Sequence, residues 1–105
     1  MSYKWPEKDP DETSDFSVDW SRFLGDDSIV STVFFVDDAN GTKTQVSTAQ
    51  FVNGIQFIQS TVSGNVATAR FAQGINNTRY NVTCRVNTTQ GLTFERSVIL
   101  PIRER

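Results

Sequence analysis

The sequence predicts an all-β sandwich, and three observations carry that prediction. First, Tyr80-Asn81-Val82-Thr83-Cys84-Arg85-Val86 alternates strictly. Tyr80, Val82, Cys84 and Val86 share one face and Asn81, Thr83 and Arg85 the other, the mark of a half-buried strand. Second, Asn87-Thr88-Thr89-Gln90-Gly91 is a polar connection whose Gly can supply the positive φ of a short hairpin loop. The return strand then carries Val98, Leu100 and Ile102 on one face. Third, the rest of the chain consists of short β-branched and aromatic runs parted by turn signals, with no helix-period segment beyond a turn or two. A Tyr that opens a long alternating strand before the last hairpin is common in immunoglobulin-like sandwiches. The expectation is therefore an immunoglobulin-like β-sandwich of about seven strands with an extended N-terminal arm. Its core is expected to include Trp20, Phe34, Phe71, Tyr80, Val82, Cys84, Val86, Val98 and Leu100.

Residues 1–14 are expected to be neither strand nor stable helix. Pro6 and Pro10 break them, and each holds the preceding residue extended. Asp9, Asp11 and Glu12 make the stretch acidic, so alone in water it should lack order. Tyr3 and Trp5, two aromatics in a tail without a core of its own, read as anchors, either on the domain or on a partner. Residues 15–105 form the sandwich domain. Asp15-Phe16-Ser17-Val18-Asp19-Trp20 alternates and is its first strand. Ser21 to Asp27 is a loop or one helical turn. Ile29 to Val36 is apolar and β-branched, the best candidate for a central strand. Asp37 to Gly41 is a turn, and its Asn-Gly suits a type I′ hairpin. Thr44 to Phe51 is weakly patterned. Asn53-Gly54 turns into the strand Ile55 to Val62. Ser63-Gly64-Asn65 turns into Val66 to Phe71, where Ala67, Ala69 and Phe71 share a face. Gly74 to Thr78 is a corner leading to Tyr80.

At 105 residues the chain is one domain. Such a chain buries roughly 65% of its unfolded surface, enough for a core without metals or disulfides. Cys84 is the only cysteine and there is no His, so no internal disulfide is possible and a small buried thiol is expected. With no signal-like leader and no long apolar run, the reading is a soluble protein made in a cytoplasm, away from membranes. Residues 1–50 hold four Lys/Arg against ten Asp/Glu (−6), and residues 51–105 hold six Arg against two Glu (+4). Two readings are open: a polar molecule whose acidic end meets a neighbour's basic face, or two solvated faces. The basic residues are too few and too spread to track phosphates, which speaks against nucleic acid.

No catalytic constellation emerges. Asp26/Asp27 and Asp37/Asp38 are neighbours in turns and point apart, a poor arrangement for a paired acid and base. The serines have no His to activate them, and no G-x-S-x-G elbow is present. Asp9, Asp11 and Glu12 resemble part of a calcium loop but lack its Gly and distal Glu. Neither a metal nor another cofactor is expected. Four acceptor-like triplets beginning at Asn40, Asn76, Asn81 and Asn87 read as chance matches in an Asn- and Thr-rich chain. The basic residues of the second half are all Arg. Arg70, Arg79, Arg85 and Arg96 are either solubilising residues that discourage edge pairing or a forked-donor surface for carboxylates. The candidate partner-binding residues are thus Tyr3, Trp5, Asp9, Asp11, Glu12, Arg70, Arg79, Arg85 and Arg96.

Trp5-Pro6-Glu7-Lys8-Asp9-Pro10-Asp11-Glu12, followed by Asp15, Asp19-Trp20-Ser21 and Asp27-Ser28-Ile29, resembles the opening of small tailed-bacteriophage virion proteins. The second half is similar to them too, at Gly74, Tyr80-Asn81-Val82-Thr83, Arg85-Val86, Thr89-Gln90-Gly91, Arg96-Ser97-Val98 and Arg103-Glu104-Arg105. The resemblance is weakest over residues 38–65. It implies a one-domain immunoglobulin-like module of the fibre–tail adaptor family, without enzymatic activity. Expected partners are portal or neck, tail, fibre or capsid proteins and neighbouring copies, with the virion as its place after synthesis in the bacterial host cytoplasm. Capsid decoration and carbohydrate binding on the virion surface are the competing expectations. The arm is expected to be extended and to lie on another subunit, with Trp5 in an apolar pocket and the arm's carboxylates near that neighbour's arginines.

Overall fold

In the computed structural model, residues 3–104 are described. Met1, Ser2 and Arg105, the ends of the expected arm and domain, lie outside the described residues. The elements in order are β1 (Tyr3–Lys4), β2 (Ser14–Asp19), α1 (Ser21–Leu24), β3 (Ile29–Asp37), β4 (Lys43–Gln45), β5 (Gln50–Val52), β6 (Ile55–Ser63), β7 (Val66–Gln73), β8 (Thr78–Thr88) and β9 (Thr93–Ile102). Two sheets, ordered β1-β9-β8-β3-β4 and β2-β7-β6-β5, pack as a sandwich.

The alternating faces land as the pattern requires. In the β8–β9 hairpin Tyr80 lies opposite Leu100 and Val82 opposite Val98, and β3 sets Phe34 against Cys84 and Val36 against Val82. All nine expected core residues are buried. On the other sheet Phe16 faces Ala69 and Val18 faces Ala67. A row of rings then crosses the core from one side to the other. Trp5 meets Phe16 at 5.3 Å, Phe16 meets Phe71 at 6.4 Å, Phe71 meets Phe57 at 5.7 Å and Phe57 meets Phe34 at 6.0 Å. Tilted and edge-on contacts at these separations suit the ring quadrupoles.

The described residues form nine strands rather than about seven. One difference is the weak stretch from Thr44 to Phe51, which changes sheets. Lys43–Gln45 pairs with β3 and Gln50–Val52 with β6, and the crossing between them breaks any single alternation. Ala49 takes a positive φ of 61° there. The turn at Asp37–Gly41 also differs from a type I′ hairpin. Only Gly41 has positive φ, its N–H donates to the Asp38 carbonyl at 2.9 Å, and Asp38 Oδ1 accepts the N–H groups of Asn40 and Thr42. It is a longer loop held by a side chain. Asn53-Gly54, by contrast, has both φ angles positive (48° and 84°), as a type I′ turn demands. A Cβ on Gly54 would meet Ile75 at 2.8 Å. Beside it, Tyr80 Oη donates to the Asn53 carbonyl at 2.7 Å and accepts from Ile75 N at 3.0 Å, tying the corner loop to the turn.

The other difference is the arm. Tyr3–Lys4 pairs in parallel with β9, Tyr3 opposite Val98. Trp5 N–H donates to Ile99 O, Lys8 N–H to Pro101 O, and Arg103 N–H to Lys8 O, each at 2.9 Å. The Trp5 indole enters this chain's own core, 8% exposed, and donates to Ser17 O at 2.8 Å. It therefore bridges the two sheets, rather than filling a neighbour's pocket as expected. Because the buried residues of the stretch, Trp5 and Lys8, stand three apart, no alternation announces the strand.

Candidate docking surface

On β9, Phe94, Arg96, Val98 and Leu100 share the inner parity. Past Asp19, however, the facing strand has ended and the chain turns into α1. That turn is set by Asp19 Oδ1, which accepts Ser21 N–H at 2.9 Å, and it closes through Leu24 N–H to Trp20 O. Leu24 is buried and Phe23 is left 55% exposed. Arg96, facing inward where the sheets diverge, lies between two rings, 4.6 Å from Trp20 and 4.7 Å from Tyr3. Its Nη1 also donates to Asp19 O at 3.4 Å. Guanidinium groups are favoured over aromatic faces in this way. Phe23 stands edge-on to Phe94 at 4.8 Å and to Trp20 at 5.8 Å. Two grooves flank Arg96 and share Tyr3. One, of about 290 Å³, runs between Lys4–Trp5 and Ser17–Asp19. The other, of about 420 Å³, is lined by Trp20, Phe23, Phe94 and Ser97.

Of the residues singled out in the sequence, Tyr3 and Arg96 meet here. Trp5 forms part of the inner wall of the smaller groove. The other arginines do not make one forked-donor surface. Arg70 pairs with Asp15 through Nε at 2.8 Å and Nη2 at 3.2 Å on the four-stranded sheet. Arg85 lies on the five-stranded sheet, bonded to Glu95 at 2.6 Å and stacked on Phe35 at 4.5 Å, and Lys43 joins Glu95 at 3.0 Å. Arg79 lines a small cleft with Glu7 and Arg103. These pairs hold the carboxyls of Asp15 and Glu95 below their ordinary values, through the Arg70 bond for the first and the Lys43 and Arg85 bonds for the second. Asp9, Asp11 and Glu12 form a tight turn instead of a loose tail. Glu12 N–H donates to Asp9 O, Asp9 N–H to Glu12 Oε1 and Asp11 N–H to Asp9 Oδ1. The turn is anchored by buried Lys8, whose Nζ donates to Gln73 O at 2.6 Å and Asp9 O at 2.9 Å. Burial lowers the Lys8 pKa, against the pull of Glu12, Asp9 and Asp11. Cys84 is enclosed, and burial pushes its thiol up, away from reactivity.

Phe23 and Phe94 were not among the candidates. Phe23 stands in a short polar turn, and an exposed aromatic there was the available signal. Phe94 follows the inner parity of β9 and is marked by sequence as core. Among the described residues no three His, Cys, Asp or Glu side chains gather as a metal site, and no helix is long and apolar enough to cross a membrane.

Fold and surface together define a small β-sandwich protein with Tyr3 and Phe23 exposed around the half-buried Phe94 and Arg96. The chain belongs to the family described as podophage GP4 fiber-tail adaptor protein gp77, whose model matches residues 8–101. The tailed-phage resemblance carried by the opening and closing motifs is thereby confirmed at the level of family. No curated protein shows a significant match to the chain.

Proposed function

We propose that this protein is a non-enzymatic structural component of a tailed-phage virion that links the tail or neck to the fibres in several copies. The family match over residues 8–101 carries the reading. The surface at Tyr3, Phe23, Phe94 and Arg96 supports it, because Tyr, Trp and Arg beside exposed apolar area are the usual anchors of protein interfaces. Asp9, Asp11, Glu12 and Arg79 lie elsewhere on the surface and would serve a second contact, with a neighbouring copy or a neck protein. The finer immunoglobulin-like reading is supported by β1 running parallel beside β9 and by the Tyr80 corner. Electron microscopy of virions carrying a tagged chain tests the placement. Label ringed around the tail or neck is the expected result, and label spread over the capsid lattice would instead make it a decoration protein. Exposed rings lining grooves are also what a glycan-binding module needs. Binding of the isolated protein to a glycan array, lost in Phe23→Ala, would favour that reading.

A further inference from the structure

One side of the sandwich is unfinished. β4 covers β3 only at Phe35–Asp37, with Val46 N–H to Phe34 O as the last bond, and β5 covers β6 only at Ile55–Phe57, with Ala49 N–H to Ile58 O beyond it. Beyond these points β3 and β6 run on along the same side, and no described strand lies against that edge of either. A groove of about 340 Å³ opens between them, with Thr32, Phe34, Val46, Phe57, Gln59 and Ser60 in its lining.

The β6 wall is the better template. Gly64–Asn65 is a two-residue turn, which makes Ser63 and Val66 a hydrogen-bonded pair. By alternation Thr61 and Gln59 bond to β7, while Ser60 and Val62 direct N–H and C=O outward to the open edge. Val62, on the inner face opposite buried Ala67, is 39% exposed. The β3 wall is interrupted by a bulge between Ile29 and Ser31, which leaves Thr32 as its one regular outward position. Natural edges are usually guarded by charge, proline or bulges. Residues 59–63 (Gln59-Ser60-Thr61-Val62-Ser63) carry no charge and no proline, and the bulge of β6, between Phe57 and Gln59, lies where this stretch begins and leaves Ser60 to Ser63 in unbroken register with β7. The β2 edge, by comparison, is charged at Asp15 and Asp19, and its Ser17 and Asp19 carbonyls are already taken by Trp5 and Arg96.

We infer that the open edge of β6 at Ser60 and Val62 receives an extended, uncharged segment of a partner virion protein, which adds a strand to the four-stranded sheet beyond the end of β5. The inference rests on the adaptor reading for the source of the partner. Strand addition draws its affinity from main-chain bonds and its specificity from alternate side chains. The electrostatics select the occupant. No charged side chain lines the groove, so a charged strand would be desolvated there without compensation, while a Ser/Thr/Val-type strand would not.

The test uses virions and the full chain. Ser60→Pro removes an N–H that this chain's own fold does not use, at an edge position where proline is tolerated. Its melting temperature is expected within about one or two degrees of wild type, and its incorporation into virions about tenfold lower, the factor expected for an unmade hydrogen bond at a closed contact. Hydrogen exchange on unmodified protein gives an independent arm. The Ser60 and Val62 amides should exchange about tenfold or more slowly in virions than in free protein. Equal incorporation of Ser60→Pro, or unprotected amides in virions, would overturn the inference and leave the adaptor reading intact. Free wild-type protein that sediments as a dimer, with Ser60→Pro a monomer, would make the occupant a second copy and overturn the partner segment. Absence of the wild-type chain from virions would overturn both readings.

Discussion

The two long sides of this sandwich are finished in opposite ways. On one, residues 3–8 run along β9, and the Trp5 indole reaches across to Ser17 O, so a ring buried from solvent joins the sheets. Lys8 adds a buried ammonium bonded to the carbonyl of Gln73 at the end of β7. On the other side, β4 and β5 stop halfway, and at the far end side-chain hydrogen bonds join the backbone bonds of Trp20 N–H to Asn65 O and Thr89 N–H to Ser28 O. Asn65 donates to Asp27 O at 3.1 Å and accepts from Ile29 N at 3.2 Å. Asp27 in turn bonds Ser28 N, Thr89 Oγ1 and Gln90 N. One sandwich thus closes one edge by apolar burial and leaves the other available beside a polar clasp. A module that must stay folded and still bind can use both.

Mutations should expose the asymmetry. Trp5→Ala removes the buried bridge and is expected to cost about 3–5 kcal/mol by chemical denaturation, the range for a buried aromatic truncated to a cavity. A loss below 1 kcal/mol would mean that the arm does not hold the sheets together. Lys8→Ala leaves two carbonyls without their donor and should cost about 1–3 kcal/mol in the same assay. Asp27 sharpens the comparison through pH. The hydroxyls of Thr88 and Thr89 and the Ser28 and Gln90 N–H groups hold its carboxyl below the ordinary value of 3.8. A depressed carboxyl stabilises the fold above its unfolded pKa, and that contribution is lost as pH falls through the folded value. Melting temperature should therefore decline below about pH 3.8, more steeply in wild type than in Asp27→Asn. Asp15, Asp19 and Glu95, also depressed, contribute to the same acid limb in both proteins. The smallest effect is expected at the open edge, where Val62→Thr should stay within about 0.5 kcal/mol, as surface substitutions do.

The sequence was most legible where neighbouring residues alternate between solvent and core. The faces of β8 and β9, the first strand at Phe16-Val18-Trp20 and the inward Ala67-Ala69-Phe71 all read correctly, because period 2 is enforced residue by residue. The arm and the β4–β5 crossing were not legible for a common reason. Each holds too few inward residues in succession to make a period, Trp5 and Lys8 three apart in one case and Val46 before Ala49 breaks step in the other. For the docking surface, residue type pointed to Tyr3 and Arg96. Their meeting depends on β1 lying beside β9, and Phe23 joins them because β2 ends where it does. Arg70 and Arg85 were drawn out of the expected surface by Asp15, which lies far away in sequence, and by Glu95, which lies directly opposite Arg85 in the β8–β9 hairpin.

The parallel pairing of Tyr3 with Val98 joins residues far apart in sequence. Contacts of such long sequence separation are slow to form, because most of the chain must be closed into a loop before they give any return. The β8–β9 and β6–β7 hairpins are local and can form early. Docking of the arm then belongs after the folding transition state, so its loss should speed unfolding while leaving the folding rate almost unchanged. During synthesis the effect is stronger still. Trp5 leaves the ribosome well before β9 and must wait for it. Until then the nascent sandwich carries that ring exposed and the outer edge of β9 uncovered.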